Sequence, residues 1–152
     1  MVDPRLIVSL SISGQSLVNT QNFSSRRYLG DPLNAIRIFS EKTVDEIFLF
    51  DIDASKNGDA PRFSFLEKLA RAASIPLCYG GGITNVKEAK QIISLGFEKI
   101  AICTAAITSP GLLREMVKEF GAQSLVVVLD VRRNEGEGDD NFDIFTHGGT
   151  KK

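Results

Sequence analysis

The chain has little of what marks several large classes of protein. Its 152 residues include one histidine, two cysteines and no tryptophan, and its formal net charge is −1. A charge so near zero gives no electrostatic case for binding nucleic acid or an anionic membrane. No stretch reaches the roughly 18 apolar residues of a membrane span. The N-terminus, Met1-Val2-Asp3-Pro4-Arg5, lacks the basic region and apolar core of a secretory signal, so a cytoplasmic protein is expected. Cys78 and Cys103 fit no zinc spacing and are expected to be reduced packing thiols. His147 lies in the terminal tail with little around it to orient an imidazole, so no chemistry is expected of it. No metal and no cofactor is expected.

What is present describes an ordinary globular protein, 43% apolar and 24% charged. The length suits one domain over residues 1–152, with a sizeable core. Strand-like runs alternate with amphipathic ones. Residues 6–12 read as a first strand, followed by a polar, glycine-punctuated excursion over 13–30. Asp31-Pro32 supplies an N-cap and a proline at the first helical position, with Leu33, Ile36 and Phe39 on the apolar side. Ile47-Phe48-Leu49-Phe50 is a continuous apolar run ending in Asp51, as in strands buried on both faces.

After a loop at 55–61, Leu66, Leu69, Ala70 and Ala73 fall on one helical face. A third strand leads into Gly80-Gly81-Gly82. Asn85 and Glu88 then have the spacing of a capping box, and Gly96 that of a C-cap. Lys99-Ile100-Ala101-Ile102-Cys103 is the fourth strand, ending at Thr104. Ser109-Pro110 opens the fourth helix, residues 125–129 form the fifth strand, and Asp130 ends it. Residues 142–146 suggest a short hairpin arm. The order βαβαβαβαβ points to an α/β parallel sheet. A five-stranded doubly wound sheet and part of a (β/α)8 barrel both fit this pattern.

In either architecture ligands bind where the strands end. Those ends carry Ser11, Asp51, Gly80 to Gly82, Cys103-Thr104 and Asp130. Three glycines before a helix start leave room for close approach to backbone N–H groups, which attract phosphate. Asp130 follows five apolar residues, and partial burial there would raise its pKa towards that of a general acid or base. Thr104 offers a hydroxyl and an N–H to a phosphate oxygen. At the opposite ends, Arg5, Glu46 and Lys99 precede strands one, two and four.

The order Arg5-Leu6-Ile7, Asn22-Phe23, Gly30-Asp31-Pro32, Asp45-Glu46, Asp51-Ile52, Gly80-Gly81-Gly82-Ile83, Thr104-Ala105-Ala106, Phe120-Gly121, Gln123-Ser124 and Phe145-Thr146 resembles the cyclase subunit of imidazole glycerol phosphate synthase. The resemblance runs along essentially the whole chain. It implies a (β/α)8 barrel of the TIM-barrel family, here truncated to its N-terminal half with about five strands and four helices. It also implies an enzyme of histidine biosynthesis, a lyase that takes ammonia from a glutaminase (glutamine amidotransferase) partner at the bottom of the barrel. At the top, that ammonia joins a bis-phosphorylated ribulosyl aminoimidazole carboxamide substrate, giving imidazole glycerol phosphate.

By the same resemblance Gly81, Gly82, Cys103, Thr104 and Asp51 fall to substrate and phosphate binding, although the family usually has asparagine where Cys103 stands. Asp130 matches a catalytic acid or base. Arg5, Glu46 and Lys99 match three members of a charged ring gating ammonia, and Glu98 and Gln123 the glutaminase contact. The family's other catalytic aspartate is Ser11 here, and a lysine that contacts substrate is Asn19. Strands six to eight would carry a second phosphate cradle and the fourth gate residue. The chain alone is therefore expected to be inactive as a cyclase.

Ser11 also resembles the pattern of an amidotransferase-associated paralogue branch, which passes ammonia towards an acetamidino sugar in surface-polysaccharide biosynthesis. A third expectation is a non-catalytic half-barrel fragment. Its two sheet edges would favour a homodimer of half-barrels.

Overall fold

The computed structural model of the chain describes residues 4–21, 25–42, 44–133 and 142–152. Asn22 and Phe23 of the family-like set lie outside the described residues. In chain order the elements are β1 (Ile7–Ser13), β2 (Ser16–Gln21), β3 (Ser25–Gly30), α1 (Pro32–Glu41), β4 (Glu46–Asp51), α2 (Ala54–Asn57), α3 (Phe63–Ala72) and β5 (Leu77–Gly80). They continue with α4 (Val86–Ser94), β6 (Lys99–Ile102), α5 (Thr104–Thr108), α6 (Pro110–Phe120), β7 (Leu125–Val127), β8 (Asp130–Arg133) and β9 (Phe142–Phe145).

Seven strands form one sheet in the order β3-β2-β1-β4-β5-β6-β7. β1, β4, β5, β6 and β7 are parallel neighbours. These five lie side by side in chain order with no reversal. A doubly wound sheet reverses at a switch point, whereas a barrel winds one way, so the order selects a partial (β/α) barrel. The expected five parallel strands and four connecting helices (α1, α3, α4 and α6) are present.

Two features were not expected. The excursion over 13–30 is an antiparallel pair, β2 and β3, added to the edge of β1. The fifth parallel strand stops at Val127, so Asp130 opens β8 rather than ending β7; β8 pairs with β9 as the short hairpin arm.

Register assigns the two faces. Leu10, Leu49, Tyr79, Ile100 and Leu125 stand in one row across the sheet. Alternate side chains of a strand share a face, so this row lies with Ile12, Ile47, Leu77 and Ile102 under the helices. Ile36, Leu66, Leu69, Ala89, Ile92 and Met116 close over them, all at most 1% exposed. Each buried Leu or Ile contributes about 1.5–3 kcal/mol, so this layer holds the fold. The opposite face, the interior of the barrel arc, carries Glu46, Phe48, Cys78 and Lys99 low down and Ser11, Phe50, Gly80 and Ala101 near the strand ends.

Local chemistry sets the helix starts. The Asp31 carboxylate accepts from the N–H groups of Leu33 (2.6 Å) and Asn34 (3.2 Å), a cap worth about 1 kcal/mol. Asn85 accepts from the Glu88 N–H at 2.9 Å, but Glu88 returns its bond to the Thr84 N–H at 2.8 Å, one residue before the cap.

Candidate functional site

The polar groups of the inner face separate to the two ends of the strands. At the base, Glu46 is completely buried. Lys99 Nζ reaches both of its oxygens, at 2.8 and 2.6 Å, and Arg5 Nη2 stands 3.4 Å from Oε2. The sequence-predicted trio is thus one ion cluster on the starts of β1, β4 and β6. Pairing on both oxygens is what allows a buried carboxylate to stay charged. Cys78 lies just above on the same face, and burial, with the Glu46 charge adding to it, pushes its thiol up to about 12. Glu98 and Gln123 precede β6 and β7 at this same end, both exposed. Gln123 donates to the Phe120 carbonyl at 3.1 Å.

At the mouth, Ser11, Asp51, Gly81, Gly82, Cys103, Thr104 and Asp130 all line one open cavity of about 580 Å³. Seven residues chosen as strand ends meet in one place. Asn19 does not line it and faces a shallow depression along β2 and β3.

The glycine turn is shaped by its neighbours. Gly81 has φ +132, and a Cβ there would fall 2.6 Å from the Asp51 carbonyl oxygen. Gly82 has φ +69, and its Cβ would run into the Asp59 carbonyl oxygen. The segment after β4 thus packs on the turn so closely that only glycine fits. The Gly82 N–H donates to Ser55 Oγ at 3.2 Å, an exchangeable partner that an incoming oxygen could replace.

Asp51 is held by the fold. It accepts from the N–H groups of Asp53 and Ala54, both at 3.2 Å, which starts α2, and pairs with Arg62 at 2.9 Å. Arg62 also donates to the Gly14 carbonyl, tying β4 to the β1–β2 turn. Asp53 meets Ser13 Oγ at 2.6 Å and Arg26 in a two-pronged pair at 2.5 and 3.0 Å. Burial works against the Asp53 charge, but the bonds from Ser13 and Arg26 outweigh it and hold the carboxyl below its usual range.

Asp130 behaves in the opposite way. Desolvation raises its pKa, only partly offset by a hydrogen bond from the Gly149 backbone and by the Arg132 charge. Burial, and then the Asp130 charge, likewise raise the Cys103 thiol. Cys103 is therefore a protonated wall residue rather than a nucleophile.

The mouth also holds residues that the sequence did not assign to it. Arg26, on β3, reaches the cavity across the edge hairpin. His147 lines the cavity as well, contrary to its expected isolation. Its N–H donates to Thr104 Oγ1 at 3.0 Å, and its Nδ1 is 3.0 Å from Thr146 Oγ1. The turn after β9 therefore folds back over the strand ends and ties itself to Thr104 and Asp130.

Among the described residues no helix is long and apolar enough to cross a membrane. The sequence profile of histidine biosynthesis proteins matches residues 5–152. All 152 residues align, at 43% identity, with a protein of Leptospira interrogans provisionally named imidazole glycerol phosphate synthase subunit HisF. A Vibrio vulnificus protein provisionally named subunit hisF3 of the same synthase is 41% identical over the whole chain. A Pseudomonas aeruginosa protein provisionally named its subunit hisF2 is 42% identical over 99% of the chain. The chain spans 58–59% of the length of these curated relatives. With the profile match covering nearly every residue and the strands wound as in a barrel, the chain belongs to the histidine biosynthesis protein family.

Proposed function

We propose that the chain serves as a cyclase-type subunit of imidazole glycerol phosphate synthase. The observation that carries this reading is the two-ended inner face: a buried ion cluster at the base and a polar cavity at the mouth of the same strands. Ammonia from a glutaminase partner docked around Glu98 and Gln123 enters past Glu46, Lys99 and Arg5. At the mouth, the backbone around Gly81, Gly82 and Thr104 takes one phosphate of the bis-phosphorylated ribulosyl substrate. Asp130, desolvated and raised in pKa, exchanges the proton that cyclisation moves. The chain folds as one domain in this reading.

Ser11 favours a second reading. A serine hydroxyl cannot act as a general base near neutral pH, so a cavity needing two carboxylates has one. Cyclisation limited by that proton transfer would slow by orders of magnitude. The base and the glutaminase contact would still serve a subunit that passes ammonia to another acceptor, such as a sugar receiving an acetamidino group.

One experiment separates the readings. Turnover of the ribulosyl substrate with free ammonium, abolished in Asp130→Asn, supports the cyclase. No such turnover, together with a glutaminase partner whose glutamine hydrolysis rises when the chain is added, supports the ammonia-passing subunit. An inert chain that leaves the glutaminase unchanged overturns both.

A further inference from the structure

The turn after β9 carries the one non-glycine residue with a left-handed backbone among the described residues. His147 has φ +53, followed by Gly148 at +65 and Gly149 at +75. A side chain in that region is strained, which a third glycine would avoid. The chain instead places its single imidazole there, at the wall of the cavity.

The contacts around the ring favour one tautomer. Thr146 Oγ1 has one proton to give, and it donates to the Lys151 carbonyl oxygen at 3.3 Å. A carbonyl can only accept, so this contact takes the hydroxyl proton. With that proton on the Lys151 side, the same oxygen accepts from His147 Nδ1, 3.0 Å away, and we assign the hydrogen to Nδ1 on this basis. In the neutral ring the lone pair then sits on Nε2. Nε2 has no protein partner among the described residues. Thr146 is only 8% exposed and bridges to Lys151, so the orienting group is itself held. The other end of the residue is anchored too: its N–H bonds Thr104, and the Thr150 hydroxyl donates to its carbonyl at 2.8 Å.

We propose that His147 is a fixed hydrogen-bond acceptor of the cavity, oriented by Thr146, whose Nε2 receives an N–H or O–H of a phosphorylated ligand seated on the glycine turn. The proposal rests on reading the mouth as the substrate end and adds to it a specificity-determining residue. Ligands lacking a donor on the Asp130 side would lose this contact. The other titratable groups around the cavity are Asp51, Asp59, Asp130, Cys103, Arg26 and Lys56. None of them is engaged by the ring in the described structure.

A single histidine makes the test direct. Nitrogen-15 spectra of the imidazole in the full chain, taken at about pH 8, give one pair of ring signals. The expected state is Nδ1–H with a bare Nε2. Thr146→Val should shift the ring towards the Nε2–H form, and Thr146→Ser should restore Nδ1–H. Ribose 5-phosphate should then move the Nε2 signal and the Gly82 amide together, whereas inorganic phosphate should move the Gly82 amide alone. A wild-type ring protonated on Nε2, or one indifferent to Thr146→Val, overturns the orientation. If ribose 5-phosphate moves Gly82 but not Nε2, the ligand contact is overturned while the phosphate reading stands. If it moves neither, both fall.

Discussion

The base and the mouth are built from the same strands, yet they treat charge in opposite ways. At the base, one fully buried carboxylate is matched on both oxygens by Lys99, with Arg5 beside it, so the charges answer one another. At the mouth, Asp130 is held by a backbone N–H and desolvated, with its pKa raised. Charges paired in this way satisfy one another inside the fold. An under-solvated carboxylate facing a cavity is poised to exchange a proton. On the proposed reading, the base serves transport and the mouth serves chemistry.

The largest way to break this contrast is to unpair the base. Lys99→Met leaves Glu46 buried with only the more distant Arg5, and should cost about 3–5 kcal/mol, read as a lowered urea midpoint. A loss below about 1 kcal/mol would mean that water already reaches Glu46. Next is the wall of the mouth: Gly82→Ala forces a Cβ against the Asp59 carbonyl at φ +69. It should cost about 1–3 kcal/mol in the same assay.

Two carboxylates at the mouth then give opposite pH dependences. Asp53 is lowered in the fold, so its stabilisation is complete above the ordinary value of about 3.9 and is lost as pH falls through its lower folded value. Asp53→Asn should flatten the acid side of the stability curve. Asp130 is raised, so its contribution is complete below about 3.9 and is lost as pH rises through its folded value. Asp130→Asn should therefore gain stability near neutral pH, and the gain should disappear in acid. Matching acid limbs for both variants would erase the distinction.

The smallest effect concerns the thiols. Cys78 should resist a thiol reagent until the chain is denatured, and Cys103, half-buried at the mouth, should react slowly and faster at alkaline pH. Fast native reaction of Cys78 would show that the base opens.

Much of the architecture was legible because buried parallel strands and amphipathic helices leave strong patterns. Ile47 to Phe50 reads as a two-faced strand, and Leu66 and Leu69 as one face of a helix, because burial requires those residues there. The edge hairpin leaves no such trace. In β3, Ser-Arg-Arg-Tyr-Leu-Gly is exposed along nearly its whole length, so nothing forces polar and apolar residues to alternate. The same logic governs the site. Ser11, Thr104 and Asp130 could be found because strand ends are predictable places. Arg26 and His147 enter from an edge hairpin and a return turn, whose positions depend on tertiary pairing. Gly81 and Gly82 were legible as a turn, but the Asp51 and Asp59 carbonyls that require glycine there were not.

That requirement has a consequence for how such a cavity changes over time. The corner at Gly81 and Gly82 is closed by the chain's own carbonyl oxygens, so its shape is inherited with the fold. Side chains that merely point into the space, such as Ser11, are under no such constraint. A mould of this kind keeps its contour while its reagents are exchanged, and a descendant can take up a new acceptor without rebuilding the vessel.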